Sequence, residues 1–176
     1  MRHLLIVLGI CLAAIAVGAL LYVYGPKELQ QAPVISDDTQ ILVEQTDTVP
    51  FTVIAEDTYA NAVAERKNYA VYDEAEFQRL WTMAYGSAAP VLPPVDFEKD
   101  YVVGVFAGEK ASGGYGIRVA DITDSGNART IGIDLIRPGA GCVTSQAITR
   151  PFQFVSVPLS EHALSRKDRE VVTACQ

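Results

Sequence analysis

Histidine and cysteine are scarce in this chain, with two and three residues among 176, and that scarcity removes much metal and nucleophile chemistry from consideration. His3 precedes a long apolar run and His162 lies in a polar stretch near the end, so a Ser-His-Asp or Cys-His set would have to use His162. Neither G-x-S-x-G nor S-x-x-K occurs. Cys11, Cys142 and Cys175 lack paired ligand spacing, and Asp121 and Asp124 flank a turn without the calcium-loop pattern. The expectation is a non-catalytic chain with no metal and no cofactor. Basic residues are also few: the net charge is -7, and beyond residue 25 there are 13 basic against 21 acidic side chains. A phosphate array requires a basic face. Nucleic acid and anionic headgroups are therefore excluded as partners, and the acidity reads as solubility.

What the chain does have is an uncharged run of about 21 residues from Leu4 to Tyr24. As a helix it spans roughly 31 Å, close to the hydrocarbon thickness of a bilayer. Arg2 lies before it and Tyr22 and Tyr24 lie at its far end, an arrangement that favours a cytoplasmic start and a single span. Residues 1–25 thus read as a cytoplasmic start and transmembrane anchor. A cleaved signal peptide is the rival reading, with Ala14-Ile15-Ala16 as the site, but that cut leaves the apolar stretch Val17 to Tyr24 on the product. Cys11 follows the bulky Ile10, which argues for an apolar residue of the span rather than a lipid acceptor.

Residues 26–40, with Pro26, Pro33, Asp37 and Asp38, read as a tether reaching roughly 20 to 25 Å as a flexible coil. Residues 41–176 suffice for one extracytoplasmic domain. Strands are expected at Val49 to Glu56, Asn68 to Tyr72, Tyr101 to Phe106, Ile117 to Ile122, Thr130 to Ile136 and Phe152 to Val157. Asp124-Ser125-Gly126-Asn127 supplies the turn of an antiparallel hairpin. Ile131, Ile133 and Leu135 share one face.

One amphipathic helix is expected. Asp73 and Glu76 form an N-terminal capping pair, Phe77, Leu80, Trp81 and Ala84 follow at i, i+3, i+4 and i+7, and Gly86 ends it. Phe77, Leu80 and Trp81 are the expected core anchors. The fold class that follows is α+β: a small antiparallel sheet with one packed amphipathic helix, preceded by a single N-terminal transmembrane helix.

Several segments together resemble the PrcB C-terminal-domain family. They are Phe77-Gln78-Arg79-Leu80-Trp81, then Val102 to Phe106 continuing through Gly108-Glu109-Lys110 and Gly113-Gly114-Tyr115 into a strand, and finally Arg150-Pro151-Phe152 with Val155 to Pro158. The likeness extends over roughly Val49 to Leu159. It implies a small extracytoplasmic domain whose namesake is an accessory subunit of a surface protease complex, not the protease itself. A protein partner, in the namesake a protease, is thereby implied. Other readings are an envelope or small-ligand binding module and, behind it, an unrecognised hydrolase.

Gly108, Gly113, Gly114 and Gly116 do not open a helix, so the cluster reads as a strand-to-strand loop rather than a phosphate cradle. Lys110, Ser112, Gly113, Gly114 and Tyr115 are the candidate partner loop. Cys142 and Cys175 are the thiols outside the span, and in an oxidising compartment they are expected to pair. Closing about 34 residues contributes roughly 3 to 4 kcal/mol. Two inert buried thiols are the alternative.

Topology is testable directly. Protease added to spheroplasts with an intact inner membrane should remove the domain and leave the anchor; protection until the membrane is lysed would reverse the orientation.

Overall fold

The computed structural model describes residues 46–175. The expected span, the tether and the first residues of the domain lie outside the described residues. Among the described residues no helix is long and apolar enough to cross a membrane.

Helix α1, Glu74–Tyr85, forms as the sequence predicts. Asp73 is extended, and its carboxylate accepts the Glu76 N–H at 2.7 Å, satisfying one of the donors that a helix start leaves unpaired. Gly86 ends the helix at φ +69° and donates its N–H to the Thr82 carbonyl. Phe77, Leu80, Trp81 and Ala84 are the buried residues of the helix. The indole N–H of Trp81 donates to the Pro90 carbonyl at 2.8 Å, so its burial leaves no polar atom unpaired.

The strands are β1 (Thr46–Thr48), β2 (Thr52–Asp57), β3 (Lys67–Val71), β4 (Asp100–Phe106), β5 (Gly116–Ser125), β6 (Ala128–Pro138), β7 (Phe152–Pro158) and β8 (Ala163–Thr173). The domain is α+β, mostly sheet with one short helix. The expectation of one antiparallel sheet is corrected: among the described residues there are two four-stranded sheets, ordered β1-β5-β6-β8 and β2-β7-β4-β3. The β6–β8 pair is parallel. The strand expected from Val49 to Glu56 is β2, which begins at Thr52, and β1 lies before it; β1 pairs with β5 and β2 pairs with β7. Proline cannot donate to a ladder. Pro50 lies where the chain leaves one sheet for the other.

Residue parity explains the layers. Tyr101, Val103 and Val105 of β4, with Val155 and Val157 of β7, pack against Ile117, Val119, Ile122, Ile131 and Ile133 of the second sheet. Val102 and Phe106 of β4, with Phe152 and Phe154 of β7, pack under Phe77, Leu80 and Trp81 of α1. The β2-β7-β4-β3 sheet is therefore the middle of three layers. Gly104 sits on its helix side, where an added Cβ would lie 2.9 Å from the Phe154 ring and 3.0 Å from Leu80. Its missing side chain lets the helix close onto the sheet.

The inter-sheet core contains one buried amide side chain. β5 bulges between Val119 and Asp121, and the extra residue lets Ile122 face inward although it breaks the alternation begun by Ile117 and Val119. Gln153 of β7 accepts the Val119 N–H at 2.8 Å and donates to Glu56 at 2.9 Å. Replacing Gln153 by Met should lower stability by about 1–3 kcal/mol, because the Val119 N–H is left buried without an acceptor. The urea midpoint at unchanged m-value reads this, and an unaltered midpoint would mean another group takes that N–H.

Candidate functional site

The two ends of the sandwich differ in kind. At the hairpin end, Gly126 and Asn127 form a two-residue turn between Ser125 and Ala128, with Gly126 at φ +55°. Arg129 is buried beside it and holds Asp124 through two contacts, Nε–Oδ1 at 2.8 Å and Nη2–Oδ2 at 2.7 Å. A third guanidinium nitrogen, Nη1, donates to the Pro158 carbonyl. The Arg129 hydrogen bonds hold the Asp124 carboxyl below its usual range, against the opposing effect of burial. The buried Tyr101 hydroxyl nearby makes no hydrogen bond, and burial raises its pKa, with Arg129 acting in the other direction.

His162 lies at this end, with Ser160 and Asp124 around it. The Ser160 hydroxyl is 2.5 Å and the Asp124 carboxylate 3.7 Å from the ring, but both meet the same nitrogen, Nδ1. A catalytic triad needs the hydroxyl on one ring nitrogen and the carboxylate on the other. Ser160 also accepts the His162 backbone N–H at 3.1 Å, which marks a local turn. The arrangement has the residue types of a hydrolase without its geometry. Among the described residues, no three His, Cys, Asp or Glu side chains are grouped to hold a metal ion.

The opposite end carries the glycine loop, the connection from β4 to β5. Gly108 (φ +73°) passes so close to the Arg66 backbone that a Cβ would sit 2.7 Å from its nitrogen. Lys110 and Thr149 exchange two backbone hydrogen bonds of 2.8 and 3.0 Å. The Thr149 hydroxyl donates to the Ser112 carbonyl at 2.9 Å, and the Gly113 N–H donates to the Ser145 carbonyl at 2.9 Å. Gly114 turns at φ +82°. Ser112, Gly113 and Gly114 are thus internal ties, whereas Lys110 lies 5.9 Å from the centre of the Tyr115 ring. Of the five candidate residues, these two bring chemically useful side chains together. Tyr115 borders two open hollows, one of about 560 Å³ reaching Glu56, Asp57 and Arg118, the other of about 190 Å³ reaching Arg66, Arg137 and Glu170.

Cys142 and Cys175 are joined, across a sequence separation of 33. The bridge fixes the segment after β6 to the end of β8. Arg150 adds a second fastening: it contacts Glu109 at 2.6 Å, donates to the Asn61 carbonyl at 3.0 Å and lies over the Tyr59 ring. Two residues here were not singled out from the sequence. Val143 is fully exposed and Ile148 largely so. The available signal was an apolar side chain directly after Cys142 in the turn-rich stretch Pro138 to Gln146.

A protein-family model described as PrcB C-terminal matches residues 101–158. This segment is similar to that family. The match begins in β4 and ends with β7, so it includes the Lys110–Tyr115 loop and Cys142. It is narrower than the likeness read from the sequence, since α1 with Phe77, Leu80 and Trp81 lies before it; β8 with Cys175 lies after both. No curated protein and no solved structure matches the chain.

The Asp124–Arg129 pair sets a pH dependence. A carboxyl depressed in the folded state contributes stability that is present above its unfolded pKa, about 4, and is lost as pH falls through the folded value. Asp124→Asn should therefore lower stability at pH 7 and flatten the acid limb of a stability–pH curve measured by urea unfolding. A limb as steep as that of the parent would assign the acid loss to other carboxylates.

Proposed function

We propose that the chain is a membrane-anchored, non-catalytic accessory subunit that presents its extracytoplasmic PrcB C-terminal domain to a protein partner, a secreted or surface protease. The family match carries this reading. The Leu4 to Tyr24 run supports the anchor, with the amino terminus cytoplasmic. The contact surface is the loop end of the sandwich, where Lys110 and Tyr115 stand on a connection tied down on both sides. Recognition residues commonly sit on loops held by a rigid scaffold.

A small-ligand module is the second reading. An apolar groove of about 390 Å³ between β3 and β8, lined by Tyr69, Ala70, Ile131, Ile133, Leu164 and Arg166, favours it. The two readings separate in one experiment. Cross-linking in intact cells should recover a protease with the parent chain, and Lys110→Ala should reduce that recovery while leaving the melting temperature within about a degree, as is usual for a surface substitution. Full recovery with Lys110→Ala would remove the loop as the contact. Recovery of no protein at all would leave the groove as the better reading.

A further inference from the structure

The sandwich is left open along one side. β3 is the last strand of the middle sheet and β8 the last of the second sheet, and among the described residues neither has a strand on its far edge. Between them lies the groove of about 390 Å³, a volume within the range of roughly 300 to 1,000 Å³ usual for small-molecule sites. Its floor is the inter-sheet core itself: Val103, Ile131 and Ile133 line it. Ala70 of β3 and Leu164 of β8 continue the apolar lining on either side.

Donors dominate the polar part of the lining. Alternation along β8 puts Leu164, Arg166, Asp168 and Glu170 on one face, and it is the inner one, because Asp168 meets Arg66, next to β3, at 3.1 Å. Glu170 lies 3.5 Å from Arg137. Arg166 borders the groove and has no ion-pair partner among the described residues. Arg66 and Arg166 thus have one carboxylate near them, that of Asp168. Burial lowers the Arg66 pKa, with Asp168 opposing and Arg166 adding to the effect, and the Arg66 Nε is buried without a hydrogen bond. Asn68, also in the lining, accepts from Arg66 through its side-chain oxygen, which leaves its amide N–H groups for a ligand. The net charge of -7 is an average over the chain, and this groove departs from it.

We propose that this groove binds a free monocarboxylate with a hydrocarbon body, the body lying between the sheets against Ile131 and Ile133 and the carboxylate meeting Arg166 and the Asn68 amide. This rests on the small-ligand reading of the groove, names the class of ligand and is independent of the accessory role. The charge of the lining sets the charge of the ligand: with Arg66 paired to Asp168, one guanidinium remains, which suits one negative charge. The floor sets its body, since Val103, Ile131 and Ile133 present no side-chain polar atom to a hydroxylated or peptide-like group, whose burial there would go uncompensated.

Full-length chain in nanodiscs of zwitterionic lipid is titrated calorimetrically with octanoate and with 1-octanol, its neutral counterpart, and the heats of empty discs are subtracted. The parent should bind octanoate about fivefold more tightly than octanol, the scale of a charge pair open to solvent. Arg166→Gln should abolish that preference by weakening octanoate alone, and Arg166→Lys should keep most of it. Ala70→Phe, which places a ring in the groove, should weaken both probes. Arg166 and Ala70 are exposed, so the variants should melt with the parent, and a merely structural role for Arg166 would not change octanoate without octanol. Equal binding of the two probes by the parent, or octanoate binding unchanged in Arg166→Gln, overturns the carboxylate and leaves the small-ligand reading standing. Binding unchanged by Ala70→Phe, or no binding of either probe to the parent, overturns the proposal and the small-ligand reading together. In discs that include phosphatidylglycerol, octanoate should still bind; its loss there would assign the groove to a lipid headgroup and overturn the free ligand.

Discussion

Burial of β4 and β7 on both faces is the constraint on which the rest of the domain depends. A strand covered on one side alternates, but one covered on both must be apolar throughout, and Tyr101 to Phe106 is. Once this pair lies in the middle, each further element has a place. The helix covers the face bearing Phe152 and Phe154, the second sheet covers the face bearing Val155 and Val157, and Gly104 sets how near the helix can come. Gln153 shows how little polarity that interior admits. Its amide is retained where the β5 bulge would otherwise leave a backbone N–H without a partner.

The two ends of the sandwich are then free to differ. Ion pairing dominates the hairpin end, where Arg129 is closed in by Asp124 and Pro158. On the outer face of the second sheet, Asp134 accepts from Arg118 and Arg169, and Gly132 leaves the space that lets Asp121 reach Arg169 at 2.7 Å. Asp134 is buried, whereas its arginine partners and Asp121 remain well exposed to solvent. At the loop end, covalent and backbone ties replace ion pairs as the main fastening. The connections there follow different strands, yet Lys110 with Thr149, Gly113 with Ser145, and Cys142 with Cys175 hold them as one unit.

The sequence revealed whatever was decided locally. The cap at Asp73, the buried stripe of α1, the Gly126 hairpin and the inward face of Ile131, Ile133 and Leu135 each depend on neighbours a few residues away, and each appears as read. The pairing of Cys142 with Cys175 was legible because only two thiols lay outside the apolar run. The number of sheets was not, since a doubly covered strand shows that both faces are filled without showing by what. β8 escaped notice for a different reason. Ser165 to Glu170 is charged and exposed, and its strand character comes from the β6 ladder rather than from any apolar alternation of its own. At the loop end, the glycines were readable as a turn, but their contacts with residues 145 and 149 are set by the tertiary fold. That is also why Ser112 and Gly113 prove to be spent on internal bonds while Val143, passed over in the sequence, stands free.

The strand order β2-β7-β4-β3 also has a temporal side. β3 and β4 pair across a shorter length of chain, with the helix between them, but β2 has no partner in that sheet except β7. Val53 must therefore wait for Val155, and β4 must keep one edge open for the same strand. Closures at such sequence separation are slow. A chain emerging from its amino terminus thus carries an apolar, half-sealed sheet until Phe152 to Pro158 have appeared, which is the interval in which it is most open to wrong partners and most in need of a helper.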